Sequence, residues 1–248
     1  MQRNIFLEIE YLGTNYFGFQ VQAKARGQNT VQAELEKAIK KLLRQRIRIA
    51  FAGRTDRGVH AKAQVVNFKT DSKIPLKNIK KALNTFLPCD IRVKKIKQVP
   101  LDFHARFSAK SKVYRYTILQ KNKPSVFCKD FSWYLDSRLN LEVLRKVSKR
   151  LIGKKDFYLF AKEAKKYKDC IRVVKEISVK KSASFIYIDI EASGFLRNMA
   201  RNIVSFLVKV ASGTISLSQA DLILKRKENY SNKPAPAQGL CLYKVKYS

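Results

Sequence analysis

Residues 30–43, TVQAELEKAIKKLL, predict the first helix of the chain, and the segments around them decide the fold. Thr30 can cap this helix, because a threonine oxygen accepts hydrogen bonds from the unpaired backbone N–H groups of a first turn. Five apolar residues recur at helical spacing and form one stripe: Val31, Leu35, Ala38, Ile39 and Leu42. The helix therefore needs another element to cover that stripe.

The segments on both sides of this helix predict strands and a second helix. In the first half the predicted elements are a strand at 3–11, the helix at 30–43, strands at 46–52 and about 62–70, a helix at about 76–86 and a strand at about 90–98. The second half offers a strand at 112–120, a helix at 140–152, strands at 171–181 and 184–193, helices at 195–211 and 218–227, and a last strand at 240–247. The first half has the order β-α-β-β-α-β, and the second nearly repeats it.

This order predicts an α+β protein with two duplicated ferredoxin-like (βαββαβ) halves. The halves are expected to form a mixed, mainly antiparallel central sheet flanked by helices. The predicted division places residues 1–106 in the N-terminal half and residues 107–248 in the C-terminal half.

Charge narrows the class of partner. The chain has 248 residues with 52 Lys and Arg against 19 Asp and Glu, a formal net charge of +33. So large an excess repels itself unless a polyanion shares the field, which favours nucleic acid first and an anionic membrane surface second. No stretch of 18 apolar residues predicts a membrane span, and the first ten residues become charged too early for a signal peptide.

Several kinds of cofactor site lack a signature in the sequence. Four scattered cysteines without a CxxC pair and only two histidines do not have the spacing of a structural zinc site. The motifs of phosphate loops, dinucleotide folds, serine hydrolases and zinc hydrolases are also missing. We therefore expect a soluble, cytoplasmic polyanion-binding protein with reduced thiols, and the sequence gives no local support for a zinc site or a nucleotide cofactor.

One turn carries the first candidate for chemistry. In Phe51–Ala61, FAGRTDRGVHA, two glycines bracket a tight turn, with Asp56 at its centre and Arg54 and Arg57 on either side. Neighbouring cations favour an ionised carboxylate, and an ionised carboxylate facing RNA in a basic protein requires a function. The alternative is an Asx-turn, in which the Asp56 side chain binds its own backbone.

Two further candidates lie in the second half. Tyr114 and Tyr116 alternate with Arg115 on a predicted strand, so both tyrosines share a face where they can stack on a base, or they are core residues. Arg201 lies in a polar stripe along the predicted helix 195–211. It could face a carboxylate such as Asp56, or the stripe could be a solvated basic face.

The motifs together resemble the tRNA pseudouridine synthase A family of bacteria. GRTDRGVHA at 53–61 is similar to the family signature. Further segments occur in the family's order: EYLGTNYFGFQ at 10–20, TVQAELEKAI at 30–39, LNTFLP at 83–88, DFHARFSAKSKVYRYTI at 102–118, GKKDFYLF at 153–160, ASGFLRNMARNIVSFL at 192–207 and PAQGLCLYKV at 236–245. The resemblance covers the chain almost from end to end.

The resemblance implies a role for each candidate residue. Asp56 matches the catalytic aspartate, Tyr114 the active-site tyrosine, and Arg201 the basic partner of the aspartate. Arg54 matches the arginine that helps to turn the target nucleotide out, and Leu240 an apolar residue of the base pocket. The family isomerises uridines at tRNA positions 38, 39 and 40, works as a homodimer, and uses neither cofactor nor metal.

Two other functions fit parts of the sequence. A non-catalytic basic RNA-binding protein fits the composition, but it gives no reason for an ionised Asp56. A basic protein of the membrane surface needs an amphipathic helix with a lysine face and an exposed apolar side, whereas the predicted helices are patterned as core elements.

Overall fold

The chain folds into two units, and the computed structural model describes residues 1–22, 29–228, 230–231 and 233–247. The first unit comprises Met1–Lys110 and Cys241–Ser248, and the second comprises Ser111–Leu240. The strands are β1 (Arg3–Tyr11), β2 (Ala50–Phe51), β3 (His60–Thr70), β4 (Ile91–Val99), β5 (Ser111–Gln120), β6 (Trp133–Leu135), β7 (Gly153–Asp156), β8 (Ile171–Ser182), β9 (Phe185–Ala192) and β10 (Leu240–Lys246). The α-helices are α1 (Val31–Leu43), α2 (Leu76–Phe86), α3 (Leu141–Arg150), α4 (Met199–Ala211) and α5 (Leu217–Leu224).

In the first unit, the central strands are antiparallel. β1 pairs with β3 on one side and with β4 on the other, and the short β2 pairs with β3. β10 lies parallel to β3, with Cys241 opposite His60 and Leu242 opposite Ala61. The core side chains Ile5, Leu7, Ile9, Leu35, Ile39, Ile79 and Leu83 are fully buried. They come from β1, α1 and α2, so the apolar stripe of α1 is covered as its sequence requires.

In the second unit, β5, β9, β8 and β7 form an antiparallel series. The short β6 runs parallel to β5. α4 is the most buried helix, with eleven of its thirteen residues buried. Asn202 anchors it from one side, because its Nδ2 donates to the Phe160 carbonyl at 2.8 Å.

The predicted α+β class with a mixed, mainly antiparallel sheet is confirmed. The predicted N-cap is also confirmed, since Thr30 Oγ1 accepts from the Ala33 N–H at 3.3 Å. None of the helices in the described ranges is long and apolar enough to cross a membrane.

Several boundaries differ from the predictions. The strand predicted at 46–52 shortens to Ala50–Phe51, and the helix predicted from 195 begins at Met199. The helix starts late because Asn198 has φ of 62°, a left-handed conformation that cannot continue a helix. The predictions missed β6 and β7, and they assigned the last strand to the second half, whereas residues from Cys241 onward belong to the first unit.

Candidate functional site

The turn that carries Asp56 is closed by its own backbone. The Val59 N–H donates to the Asp56 carbonyl at 3.1 Å, and Gly58, the third residue of the turn, has φ of 77°. This backbone bond closes a β-turn at Asp56, and the Asx-turn alternative for the Asp56 side chain stays open. Asp56 is half-buried, while Arg54 and Arg57 on either side are exposed. The turn thus places one carboxylate between two exposed arginines, and the Arg57 guanidinium lies 4.3 Å from the centroid of the Phe17 ring.

Buried groups hold this turn from its inner side. Thr55 is 6% exposed, and its Oγ1 lies 2.8 Å from the Tyr11 hydroxyl. The Thr55 carbonyl accepts from the Phe19 N–H at 3.1 Å, and the Gly53 carbonyl accepts from Gln64 Nε2 at 2.7 Å. Burial raises the pKa of the Tyr11 phenol far above its usual range, so this hydroxyl stays protonated. The backbone on both sides of Arg54 is therefore fixed by residues of the core.

Two glycines of the segment 10–20 let the chain pack directly against this turn. A Cβ at Gly18 would lie 2.7 Å from the Thr55 carbonyl oxygen, and Gly18 has φ of 88°. A Cβ at Gly13 would lie 2.1 Å from the Val59 carbonyl oxygen. Only glycine permits approaches this close. The Gly13 N–H also donates to His60 Nδ1 at 3.0 Å, which gives His60 a structural role beside the turn.

In the second unit, β5 has the predicted alternation. Tyr114 and Tyr116 are both buried, at 5% and 0% exposure, while Arg115 on the other face forms a bidentate ion pair with Asp189 at 2.7 Å. The Tyr114 ring meets the Phe195 ring edge-on, with centroids 4.8 Å apart. The burial of both tyrosines agrees with the alternative that they are core residues. Only their contacts can distinguish a functional tyrosine from a structural one.

The contacts of Tyr116 are those of a structural residue. Its hydroxyl donates to the Pro236 carbonyl at 2.8 Å. Burial raises the pKa of this phenol far above its usual range, although the charge of Arg201 lowers it in part. A Cβ at Gly239 would lie 2.6 Å from the Tyr116 ring, so Gly239 is the residue that lets the chain pass over the ring. Leu240, the next residue in the chain, is 5% exposed.

Arg201 lies in the first turn of α4 and is half-buried. Its Nε donates to the Ala235 carbonyl at 2.7 Å, and its own carbonyl accepts from the Ala235 N–H at 3.2 Å. Farther along the same stripe, Ser205 is 5% exposed. This part of the stripe is therefore packed rather than solvated, whereas Arg197 at its start is exposed and pairs with Glu163. The expectation that Arg201 faces Asp56 stays a prediction.

The predicted site residues fall in both units. Arg54 and Asp56 belong to the first unit, and Tyr114, Arg201 and Leu240 belong to the second. Within the second unit, a cavity of about 520 Å³ contains none of these three residues. Its two carboxylates form ion pairs, Asp221 with Arg150 at 2.5 Å and Asp156 with Arg226 at 2.6 Å. Within the described ranges, no group of three or more His, Cys, Asp or Glu is arranged to hold a metal ion.

Sequence reasoning missed the residues that position the candidates. Gly18 and Tyr11 fix the aspartate turn, and Ala235 fixes the Arg201 side chain through its backbone. The segment 10–20 stands out in the sequence only as part of the resemblance. Its two glycines, spaced five residues apart beside a predicted strand, are the signal that indicates a close backbone approach.

Comparison with known proteins gives a consistent result. A family model described as tRNA pseudouridine synthase matches residues 8–108 and 147–248. The chain is 43% identical to tRNA pseudouridine synthase A of Thermoanaerobacter sp. (strain X514) over 99% of this chain and 100% of that protein. It is 41% identical to that of Clostridium kluyveri, with the same coverage, and 40% identical to that of Moorella thermoacetica, over 97% of this chain and 98% of that protein. A chain from the crystal structure of a Cbf5-Nop10-Gar1 complex matches 83% of this chain and 54% of its own length at 10% identity, with a TM-score of 0.34, which is too low to carry an argument.

Proposed function

Because this chain belongs to the tRNA pseudouridine synthase family, we propose that it isomerises uridines 38, 39 and 40 in the anticodon stem-loop of tRNA. Family membership sets aside the two other candidate functions, the non-catalytic RNA-binding protein and the membrane-surface protein. The proposal is supported chiefly by the match to full-length relatives, and the turn at Asp56 lies inside the matched region, with the buried Thr55 bound to the Tyr11 hydroxyl next to it.

The reaction rearranges one nucleoside without any co-substrate. The N1–C1′ glycosidic bond breaks, the uracil turns, and a new bond joins C5 to C1′. The C5 proton is lost and N1 gains a proton, so the product has the same atoms as the substrate. An isomerisation of this kind needs a group that acts at the glycosidic bond, a surface that retains the detached uracil, and a base for the C5 proton.

We assign the catalytic role to Asp56. A carboxylate acts at such a centre by covalent addition or by stabilising positive charge that develops at the sugar, and both actions require its ionised form. Exposed Arg54 and Arg57 on either side supply cations to the same turn. The buried Thr55 between Arg54 and Asp56 keeps the turn in one conformation, as a preorganised catalytic group requires.

We assign substrate binding to Arg54, Tyr114, Arg201 and Leu240. Arg54 is exposed on the turn, where it can contact a nucleotide that leaves the stack, a step that costs a few kcal/mol. The Tyr116 hydroxyl donates a hydrogen bond to the Pro236 carbonyl, which favours Tyr114 as the functional tyrosine of the pair. The backbone contacts with Ala235 hold Arg201 in one orientation, and Leu240 offers an apolar surface for a base.

The test uses unmodified tRNA transcripts and detects pseudouridine by carbodiimide treatment followed by primer extension. We expect pseudouridine at 38, 39 or 40 wherever the transcript carries uridine there. A matched transcript with cytidine at all three positions should remain unmodified. Pseudouridine at other positions, at a comparable rate in both transcripts, would contradict the assignment of these positions.

We further propose that the protein acts as a homodimer in the cytoplasm. Size-exclusion chromatography with light scattering should give about twice the chain mass of 28.6 kDa. A mass equal to one chain at the concentration of the activity assay would refute the dimer. Cell fractionation should recover the protein with the cytoplasmic tRNA pool.

A further inference from the structure

One exposed aromatic side chain of the first unit is not part of the site described above. Phe107 is 75% exposed, although burying a phenylalanine side chain is favourable by about 1.5–3 kcal/mol. It lies in the segment 102–110, between β4 and β5. Single exposed apolar residues are common, so exposure alone does not indicate a function. The contacts around Phe107 supply the second observation.

Phe107 lies against a second ring in a tilted arrangement. The centroids of His104 and Phe107 are 4.4 Å apart, and their planes are inclined by 36°. The Arg106 guanidinium lies 5.6 Å from the centroid of the Phe107 ring. A phenylalanine with an imidazole and a guanidinium beside it is the combination with which proteins stack on nucleic-acid bases. We call His104, Arg106 and Phe107 the aromatic platform.

The platform is rigid because the same short segment is fastened to the core on its inner side. Ala105 is fully buried; its N–H donates to Asn67 Oδ1 at 2.8 Å, and its carbonyl accepts from the Tyr247 hydroxyl at 2.7 Å. His104 Nδ1 accepts from the Arg106 N–H at 3.1 Å and from the Phe107 N–H at 3.4 Å, which fixes the imidazole plane.

A second pair of hydrogen bonds closes the segment. The Ser108 N–H donates to the His104 carbonyl at 2.9 Å, and the His104 N–H donates to Ser108 Oγ at 3.1 Å. With Ala105 anchored inward, Arg106 and Phe107 are directed outward. An exposed ring that is already ordered loses little conformational entropy on binding, which makes it an efficient contact.

The charge around the aromatic platform indicates what kind of molecule binds there. Residues 102–112 contain the cations Arg106, Lys110 and Lys112 against the single carboxylate Asp102, in a chain of net charge +33. We propose that the aromatic platform stacks on an unpaired base of the tRNA, at a nucleotide other than the target uridine. The base is unpaired because the bases of a duplex are already stacked and enclosed. This inference rests on the proposed function for the identity of the RNA.

The first test measures tRNA affinity at one fixed salt concentration, since affinity for RNA depends on salt. Phe107→Ala should weaken binding about 5- to 150-fold, which is the range for loss of one base–aromatic stack. Phe107→Tyr keeps the ring and should stay within about twofold of the wild type, whereas Phe107→Leu keeps only the apolar surface and should follow Phe107→Ala. If Phe107→Ala and Phe107→Leu bound tRNA as tightly as the wild type, the proposal would be wrong.

The second test reports stacking directly through tryptophan fluorescence. The chain has one tryptophan, Trp133, so Trp133→Phe provides a background without indole. In that background, Phe107→Trp should lose fluorescence when tRNA is added, because a stacked base quenches indole. A fully paired RNA duplex of similar length should cause little quenching. No quenching by tRNA, or equal quenching by both RNAs, would overturn the proposal.

Phe127 offers a matched control position. It is 89% exposed, and within the described ranges no aromatic or cationic side chain stacks on its ring. In the same background, Phe127→Trp should be quenched less by tRNA than Phe107→Trp. Equal quenching at both positions would mean that any exposed ring contacts the RNA, and the aromatic platform would have no special role.

Two controls distinguish the aromatic platform from the catalytic site and from a protein interface. The wild type must form pseudouridine in the same preparation, and if it does not, the proposed function is wrong. If the wild type forms pseudouridine and Phe107→Ala binds tRNA as tightly as the wild type, only the aromatic platform is refuted. Phe107→Ala should raise the KM for tRNA and leave kcat within about twofold. If Phe107→Ala instead changes the oligomeric state measured by light scattering and leaves tRNA affinity intact, the surface binds a second copy of the chain, and the proposal is wrong.

Discussion

The aspartate turn of the first unit and strand β5 of the second unit position their candidate residues in different ways. The turn is held by backbone bonds, with the Thr55 carbonyl bound to the Phe19 N–H and Gly18 packed against it, and by the buried Thr55 side chain against Tyr11. β5 is held by its antiparallel pairing with β9, and its side chains are bound as well, Tyr116 to the Pro236 carbonyl on one face and Arg115 to Asp189 on the other. Replacing the half-buried Asp56 side chain should therefore largely spare the shape of the turn, whereas replacing a buried side chain of β5 should disturb the packing.

The largest effect is expected from Asp56→Asn. Asparagine has nearly the same size as aspartate, and the bond from the Val59 N–H to the Asp56 carbonyl remains, so the free energy of unfolding should change by no more than about 1 kcal/mol. Turnover should fall about a thousandfold or more, because an amide is a poor nucleophile and carries no charge. Denaturant unfolding and a single-turnover assay measure the two quantities, and tRNA affinity should stay equal or improve as a negative charge is removed.

Asp71→Asn is the matched control for that experiment. Asp71 is an exposed aspartate of the same unit, next to the end of β3, and its loss should leave turnover within about twofold. If Asp56→Asn kept a tenth of the wild-type rate, Asp56 would not be the catalytic group. If it unfolded the protein, the turn would depend on its side chain after all.

The next largest effect tests the backbone side of the comparison. Gly18→Ala should destabilise the fold by about 3 kcal/mol or more, because it combines a strained left-handed residue with a clash. Its Cβ would lie 2.7 Å from the Thr55 carbonyl oxygen, in the turn to which we assign the catalytic Asp56, so turnover should fall as well. Unfolding in guanidinium chloride and an activity assay on the folded fraction provide the measurements.

Gly213→Ala separates backbone strain from the clash. Gly213 has φ of 81°, and a Cβ there would have no atom within 4 Å. Only the strain remains, at about 1 kcal/mol, and turnover should be unchanged. Equal destabilisation by Gly18→Ala and Gly213→Ala would show that the approach of Gly18 to the turn contributes nothing.

A third, smaller effect distinguishes the two tyrosines of β5. Tyr116→Phe leaves the Pro236 carbonyl without its donor and should cost about 1–2 kcal/mol of stability, with turnover of the folded enzyme nearly unchanged. Tyr114→Phe keeps the ring against Phe195 and should reduce turnover about a hundredfold, if its phenol transfers a proton in the reaction. Normal turnover in Tyr114→Phe would make Tyr114 a core residue like its neighbour.

The sequence predicted those parts of the fold whose signals are local. The stripe of α1 and its Thr30 cap lie within one segment, and both are present in the structure. The strands β2, β6 and β7 have only two to four residues each, too few to show an alternation. The late start of α4 depends on one left-handed residue, Asn198, which apolar spacing does not indicate.

For the candidate site, the sequence supplied residue types but not the contacts that position them. The Asp56 turn was recognisable from its glycines and charges. Its contact with Gly18 joins residues far apart in the chain, and the bond from Arg201 to Ala235 depends on a backbone carbonyl, which any residue type supplies. The exposure of Phe107 was equally hidden, because an apolar residue next to a strand is expected to be buried.

The smallest effect concerns stability at alkaline pH and again separates β5 from the turn. Burial raises the pKa of the Tyr116 phenol, so above about pH 10 the unfolded chain loses this proton while the folded chain keeps it. The unfolded state then binds fewer protons, and the free energy of unfolding falls as pH rises, by about 1.4 kcal/mol per pH unit for each such tyrosine. The stability that the protonated Tyr116 phenol contributes is fully present below about pH 10 and is lost progressively above that pH.

Tyr116→Phe removes one of the protons that are lost on unfolding at alkaline pH. The free energy of unfolding should therefore fall less steeply with pH in this variant, although the variant is less stable at neutral pH. Tyr11→Phe, beside the turn, should have the same effect on the decline, because burial raises the pKa of the Tyr11 phenol as well. Between about pH 7 and 9 the difference between each variant and the wild type should not depend on pH, which provides an internal control. Guanidinium unfolding from pH 7 to 11 measures the slopes. Since Asp56→Asn removes no phenol, its stability should decline with pH as steeply as that of the wild type. An altered slope in that variant would mean that the Asp56 charge influences the titration of a buried phenol.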